Sequence, residues 1–315
     1  MSKNFSIIDK MKLEHVISAG QFDLPTLQKI FKITDQIRSG KYNKKALDGK
    51  IMATLFYEPS TRTRFSFESA MLRLGGSVVG TENAAEFSSA VKGETLEDTI
   101  RIVNGYCDVI VLRHYLSGAS DLAAKYSKVP IINAGDGNHE HPTQALLDLY
   151  TIFSKFKKPD FTIAMVGDLA TYRAVNSLSQ LLTLYPRVKF IFVSPKKLSI
   201  LPTLRDRLKK TGNQFEETDN LETALKKADI IYMTRIQKER LNKSDFEQYF
   251  GVYTINGDSL KVLSKNALIM HPLPRINEIT PEVDADPRAI YFEEAQNGVY
   301  VRMALLLFLF DKAQL

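Results

Sequence analysis

Cysteine is almost absent: Cys107 is the only one in 315 residues. One thiol excludes an internal disulfide framework and a structural zinc site built on thiolates. Long apolar runs are also missing. The most apolar stretch, Ala304–Phe310, lies between Arg302 and Asp311 and is seven residues long. A bilayer crossing needs roughly 20, so a buried terminal helix is expected and no membrane partner. The first residues, Met1 to Val16, show neither an apolar signal core nor arginine-rich transit character. The expectation is a cytoplasmic protein. No run of like charge stands out either. The net charge is +6, but the basic pairs, such as Lys44-Lys45 and Lys226-Lys227, are scattered. A nucleic-acid partner is not expected. The bias fits a solvated surface or a small anionic substrate equally well.

What is present describes an ordinary globular chain, with 44% hydrophobic and 25% charged residues. Its length favours two domains. Asp23 reads as the cap of a helix carrying Leu24, Leu27, Ile30, Phe31 and Ile37 at helical spacing, with Thr34 interrupting the stripe. Short β-rich runs then alternate with helical segments. The runs are Ile51–Tyr57, Asp108–Leu112, Val129–Asn133, Phe161–Val166, Val188–Val193, Asp229–Thr234 and Ala267–Met270. Helical pattern covers Arg62–Leu74, Leu96–Tyr106, Thr143–Phe156, Arg173–Leu184 and Pro202–Lys210. Nearly unbroken apolar strands between helices predict parallel sheets covered on both faces, hence an α/β fold with two doubly wound domains. The charged turn Phe156–Asp160 marks the boundary, giving domains 1–156 and 157–293. An apolar helix from about Glu294 to Lys312 packs back across that boundary, within 294–315.

In such sheets ligands bind beyond the carboxyl ends of strands. After the first strand come Glu58-Pro59-Ser60-Thr61-Arg62-Thr63-Arg64. Ser60 and Thr61 can cap a helix whose free N–H groups and hydroxyls make an anion cradle. Arginines in a first turn oppose the helix dipole. Arg64 is expected to pair with Glu68 four residues on, and Arg62 to bind a phosphate. Arg113-His114 follow the next strand. His139 and His141, two apart and without a third ligand, are weak as a metal pair. His141 and Gln144, by contrast, share one face of a first helical turn. Gly167-Asp168-Leu169 stands where a dinucleotide fingerprint would begin, but Gly-x-Gly-x-x-Gly is absent and the turn delivers Arg173 instead. Arg235 and Arg275 also follow strand ends. Guanidinium forks at repeated topological positions point to polyanionic ligands.

Phe56–Arg64, His141–Leu149, Tyr232–Arg240 and His271–Arg275 together resemble, in order, the aspartate carbamoyltransferase family, over a stretch from about residue 15 to the C-terminus. His271-Pro272-Leu273-Pro274 is similar to the aspartate branch, where ornithine enzymes carry a cysteine. The resemblance implies transfer of a carbamoyl group from carbamoyl phosphate to L-aspartate, without cofactor, metal or covalent nucleophile. It implies that Ser60, Thr61, Arg62 and Thr63 hold the phosphate. Thr63, Arg113 and His141 would meet the carbonyl oxygen. Gln144 and the segment Pro272, Leu273 and Pro274 would fix the carbamoyl NH2. Arg173 would take the α-carboxylate and Arg235 the β-carboxylate, with Gln237 beside them.

The resemblance further implies a homotrimer with shared active sites, Ser88 and Lys92 entering a neighbour's site, and it leaves a regulatory chain open as a partner. Glu58 would bridge to Arg173 and Arg240 on domain closure, the alternative being a purely local pair with Arg64. Ala170 and Tyr172 depart from the family turn, which commonly has lysine and glycine there, and Val91 replaces a frequent basic residue. Another amine acceptor admitted by Tyr172, or an idle anion-binding scaffold, are the alternatives.

Overall fold

The computed structural model describes residues 13–87, 92–238 and 241–311. They form two compact units: one holds the residues up to Thr143 with those from Gly298 on, the other Gln144–Asn297. The division falls inside two helices, α6 and α12 below.

The first unit opens with α1 (Leu24–Arg38). Asp23 accepts from the Thr26 N–H at 2.9 Å, a cap worth about 1 kcal/mol. Leu27, Ile30, Ile33 and Ile37 are buried along its inner face. Thr34 joins them because its hydroxyl donates to the Ile30 carbonyl at 2.8 Å, which removes the cost of burying it. There follow β1 (Ile51–Phe56), α2 (Thr61–Arg73), β2 (Ser77–Glu82), α3 (Ala84–Phe87), α4 (Leu96–Val103), β3 (Val109–His114), α5 (Ala119–Tyr126), β4 (Ile131–Asp136) and the start of α6 (Pro142–Lys155). The described strands form a parallel sheet in the order β2-β1-β3-β4. Ala53, Leu55, Ile110, Leu112 and Ile131 pack with Ile100 and Ala123 of α4 and α5. The far part of α12 (Tyr291–Leu309) also belongs here, with Lys29 5.1 Å above the Phe308 ring.

The second unit continues with β5 (Thr162–Val166), α7 (Arg173–Leu182), β6 (Lys189–Val193), α8 (Pro202–Thr211), β7 (Phe215–Thr218), α9 (Leu221–Lys227), β8 (Ile230–Met233), α10 (Lys243–Tyr249), α11 (Gly257–Val262) and β9 (Leu268–Met270). Its parallel sheet runs β7-β6-β5-β8-β9. Ala164, Val166, Ile191, Val193, Ile231 and Ile269 form one core with Ala224, Leu225 and Tyr291. No helix among the described residues is long and apolar enough to cross a membrane.

Both units are α/β, as expected. Two strands have no counterpart in the sequence reading. β2 carries Gly80, and β7 is a four-residue edge strand with both glutamates exposed, so neither shows an apolar run. β4 extends to Asp136 rather than ending at Asn133, because His114 pairs with Asp136 across a register shift. β3 likewise includes Arg113 and His114. The last helix begins at Tyr291, ahead of the expected Glu294.

Candidate active site

In the first unit the chain moves from β1 outward to β2, then returns to β3 on the other side. Such a reversal opens a crevice at the carboxyl ends of β1 and β3. Tyr57 N–H donates to the Arg113 carbonyl at 2.8 Å, tying the two strand ends together. Ser60 takes the N-cap position of α2, but with ψ 84 it lies off the extended geometry and makes no capping bond. Thr61 is already helical, so the expected hydroxyl cap is not formed. The first-turn amides have no intrahelical acceptor, and that turn contains no acidic side chain. Arg62 is exposed there, and Thr63 is buried.

Arg64 is a structural arginine. Its Nε donates to Glu68 Oε1 at 2.7 Å, and Thr54 Oγ1 donates to the same oxygen at 3.1 Å. Arg302 of α12 braces the helix from elsewhere, donating to Ser66 Oγ at 2.7 Å with its guanidinium 4.9 Å from the Phe67 ring. No motif announces Arg302.

Arg113 is buried at the end of β3, donating from Nη1 to the Ala134 carbonyl at 3.2 Å and from Nη2 to Glu58 Oε1 at 3.0 Å. Next to it, burial pushes the His114 imidazole down despite the nearby charges of Asp136 and Glu58. Beyond β4, Asp136 organises the turn to His141. Its Oδ1 accepts from Asn133 Nδ2 at 3.0 Å and the Glu140 N–H at 3.1 Å, and its Oδ2 from the Gly118 N–H at 2.9 Å. Glu140 in turn accepts from Ser18 Oγ at 3.0 Å. His141 emerges buried immediately before α6. Asn133, Asp136 and Glu140 were not among the expected site residues; an Asp-Gly pair at a strand end was their only signal.

In the second unit the strand order reverses between β5 and β8. Gly167 directly follows β5 at φ +117, where a Cβ would lie 2.3 Å from the Thr234 carbonyl oxygen. Only glycine fits that approach. The following turn is closed by the Thr171 N–H donating to Asp168 Oδ1 at 2.9 Å. Burial pushes the Asp168 carboxyl up, against those hydrogen bonds and the positive charge of Arg235. Tyr172 is the buried N-cap of α7 and Arg173 its first residue, in a first turn without acidic side chains. Arg235 and Gln237 follow β8, both half-buried.

After β9, His271 accepts the Leu273 N–H on Nδ1 at 2.7 Å, so Nε2–H donates to Glu278 Oε1 at 2.8 Å. Burial lowers the His271 pKa, with Arg235 and Arg275 acting the same way and Glu278 opposing. Leu273 has φ 53, rare for a side-chain-bearing residue, and the Leu273–Pro274 peptide is cis. Pro272 and Leu273 are half-buried and Pro274 exposed. Arg275 does not fit the pattern of ligand-binding arginines. It forks onto both oxygens of Asp284 and lies 5.3 Å from the Tyr291 ring. Gln144, at the start of α6, donates Nε2–H to Asp148 Oδ1 at 2.8 Å.

The structure thus puts Ser60–Thr63, Arg113 and His141 at or just beyond the carboxyl ends of β1, β3 and β4 in the first unit. Gln144, Arg173, Arg235, Gln237 and Pro272–Pro274 belong to the second unit. Lys92 is exposed in the first unit. Ser88 and Arg240 lie outside the described residues.

The sequence pattern of the aspartate/ornithine carbamoyltransferase carbamoyl-P binding domain matches residues 14–154, and that of the family's Asp/Orn binding domain matches residues 159–309. The chain is 52% identical over 308 residues to aspartate carbamoyltransferase 1, chloroplastic, of Pisum sativum, covering 96% of this chain and 80% of that protein. It is 47% identical to the aspartate carbamoyltransferase catalytic subunit of Clostridium perfringens, covering 96% of this chain and 100% of that one. Among solved structures, the catalytic subunit of M. jannaschii aspartate transcarbamoylase superposes with a TM-score of 0.87 at 45% identity, over 95% of this chain and 99% of that chain. The Trypanosoma cruzi aspartate transcarbamoylase, in complex with carbamoyl phosphate and aspartate, gives a TM-score of 0.87 at 38% identity, over 94% and 96% of the two chains.

Proposed function

The chain belongs to the aspartate/ornithine carbamoyltransferase family, and on that premise we propose how its residues transfer the carbamoyl group from carbamoyl phosphate to the amine of L-aspartate, giving N-carbamoyl-L-aspartate and phosphate in pyrimidine biosynthesis. One positional observation supports the assignment of roles. Each sheet reverses strand order once, and each reversal is flanked by an arginine in the first turn of a helix and another near the neighbouring strand end. The pairs are Arg62 with Arg113 and Arg173 with Arg235.

The carbamoyl phosphate-binding domain is assigned to residues 1–156, with 294–315 returning to it, and the aspartate-binding domain to 157–293. Ser60, Thr61, Arg62 and Thr63 hold the phosphate. The α2 amides and the Arg62 cation supply the positive field that a dianion needs at a helix start. Thr63, Arg113 and His141 donate to the carbonyl oxygen as negative charge grows on it. Arg113 is held by Glu58 and Ala134, so it needs little reorganisation.

Gln144 and the carbonyls of Pro272 and Leu273 accept from the carbamoyl NH2, with Pro274 closing that turn. Arg173 binds the α-carboxylate and Arg235 the β-carboxylate, with Gln237 beside them. Catalysis then consists of holding two substrates in register and stabilising the tetrahedral oxyanion. The amine attacks unprotonated, the C–O bond to phosphate breaks, and the departing phosphate takes the proton.

A cytoplasmic homotrimer belongs to the same proposal, with Ser88 and Lys92 serving a neighbouring subunit's site and a regulatory chain as a further partner. Burial pushes the lone Cys107 thiol up to about 11, so it stays protonated and unreactive. The test is phosphate release from carbamoyl phosphate with aspartate or ornithine, repeated with Arg235→Ala. Activity with aspartate alone, lost in the variant, supports both the acceptor and the β-carboxylate contact. Activity with another amine instead would retain the donor half and reject the acceptor half.

A further inference from the structure

Two carboxyl groups lie buried together in the second unit, beneath the residues assigned to the carbamoyl NH2. Asp148, on α6, and Glu294, on α12, are 0% and 1% exposed, and the charge of Asp148 acts directly on the Glu294 carboxyl. Asp148 already receives a donor on each oxygen: Gln144 Nε2–H on Oδ1 and Tyr232 O–H on Oδ2, each at 2.8 Å. Glu294 Oε2 accepts the His271 N–H at 2.9 Å, while no donor reaches its buried Oε1. Two ionised carboxylates side by side in an apolar interior are strongly disfavoured. The unpartnered Glu294 Oε1 offers a place for the proton that relieves this.

We infer that Asp148 and Glu294 share a single proton and act as one positioning unit, Glu294 the acid and Asp148 the anion, that sets the amide orientation of Gln144 and anchors the His271–Pro274 turn. The inference rests on the roles proposed above for Gln144 and that turn. An anionic Asp148 can only accept, so it draws the Gln144 NH2 toward itself. Gln144 Oε1 is then left as the group's offering to a ligand, an acceptor suited to an amide NH2. Glu294 acts on the other side of the same subsite. By accepting the His271 N–H it fixes the backbone one residue before Pro272 and Leu273, and His271 Nδ1 holds Leu273 in turn.

The charged and titratable groups around the pair are consistent with one shared proton. Tyr232 of β8 faces both carboxyls, and burial beside them pushes its phenol far up, so it remains a donor; Tyr172 also acts on it. His271 is held neutral by burial, with Glu278, Arg235 and Arg275 acting on the imidazole. Burial, then the charge of Asp148, raises the Glu294 carboxyl well above the usual carboxylate range.

Infrared difference spectra of the full chain, wild type minus Glu294→Gln at neutral pH, test the protonation directly. The expected result is the carbonyl stretch of a protonated carboxyl, shifted in heavy water and missing from the variant. Kinetics test the positioning. Glutamine can donate to Asp148 and accept from His271, so Glu294→Gln should stay within about threefold of wild type. Asp148→Asn, which offers Gln144 a competing NH2, should raise KM for carbamoyl phosphate about tenfold and lower kcat less. Loss of an ionised carboxylate only, or equal impairment of Glu294→Gln and Glu294→Ala, overturns the inference. The infrared band is read without turnover. A wild type that fails to carbamoylate aspartate therefore sinks the proposed function and is distinguishable from failure of the shared proton.

Discussion

Arg113 Nη2 donates to Glu58 Oε1 across 3.0 Å, joining the last residues of β3 to the segment that leads from β1 into α2. The contact places a carboxylate behind the cation assigned to the carbonyl oxygen. Removing it in Glu58→Ala frees the guanidinium to rotate. Hydrogen bonds to charged groups contribute about 1.5–3 kcal/mol; this one is partly exposed, and the lower end applies. The expected outcome is a loss of about tenfold in kcat/KM for carbamoyl phosphate at saturating aspartate, with Glu58→Gln intermediate. Unchanged kinetics in both variants would remove Glu58 from the account.

His141→Ala separates binding from catalysis. A donor to a developing oxyanion contributes mainly in the transition state, so kcat should fall about a hundredfold. Carbamoyl phosphate affinity, measured by titration, should change only a few-fold. Weakened binding with near-normal turnover would argue against the oxyanion role.

Gly167→Ala should destabilise the second unit and weaken aspartate binding together. The left-handed backbone alone costs roughly 1–2 kcal/mol, and the added Cβ lies 2.3 Å from the Thr234 carbonyl oxygen. Gly212→Ala is the control, with φ +75 but nothing within 4 Å of its Cβ. Thermal unfolding should show Gly167→Ala as clearly the worse of the two. Equal midpoints would mean that β5 and β8 yield without consequence.

The buried Glu294 carboxyl sets a direction for stability against pH. Its folded pKa is raised, so the folded state binds a proton that the unfolded chain has released. Stability from this group is complete below the ordinary carboxylate range and is lost as pH rises toward the folded value. Denaturant midpoints of wild type, relative to Glu294→Gln, should therefore fall from mildly acidic to alkaline pH. Parallel curves would contradict the assignment of the proton.

Mixing inactive Arg62→Ala subunits with inactive Lys92→Ala subunits should regenerate activity if sites are shared between chains. Only a mixed assembly offers a site with both residues intact. Activity that stays at the level of the separate variants would count against sharing.

The sequence by itself determined the α/β class, the alternation of strand and helix, and the strand-end arginines and histidine, because each rests on local chemistry. Apolar strand runs, helix-start residues and motif spacing act within a few residues. The pairing of Arg64 with Glu68 was legible for the same reason, being one helical turn apart. Ends of elements were less legible, since β4 reaches Asp136 only through its pairing with β3.

What only the tertiary structure decided concerns partners far apart in the chain. Arg275 looked like another anion-binding arginine, until folding brought Asp284 into its fork. Arg302 reaches Ser66 across 236 positions. Asp148 and Glu294 stand on different helices with no motif linking them. Burial there removes water, so the cost of a second negative charge, and hence the place of the proton, depends on which groups the fold packs together.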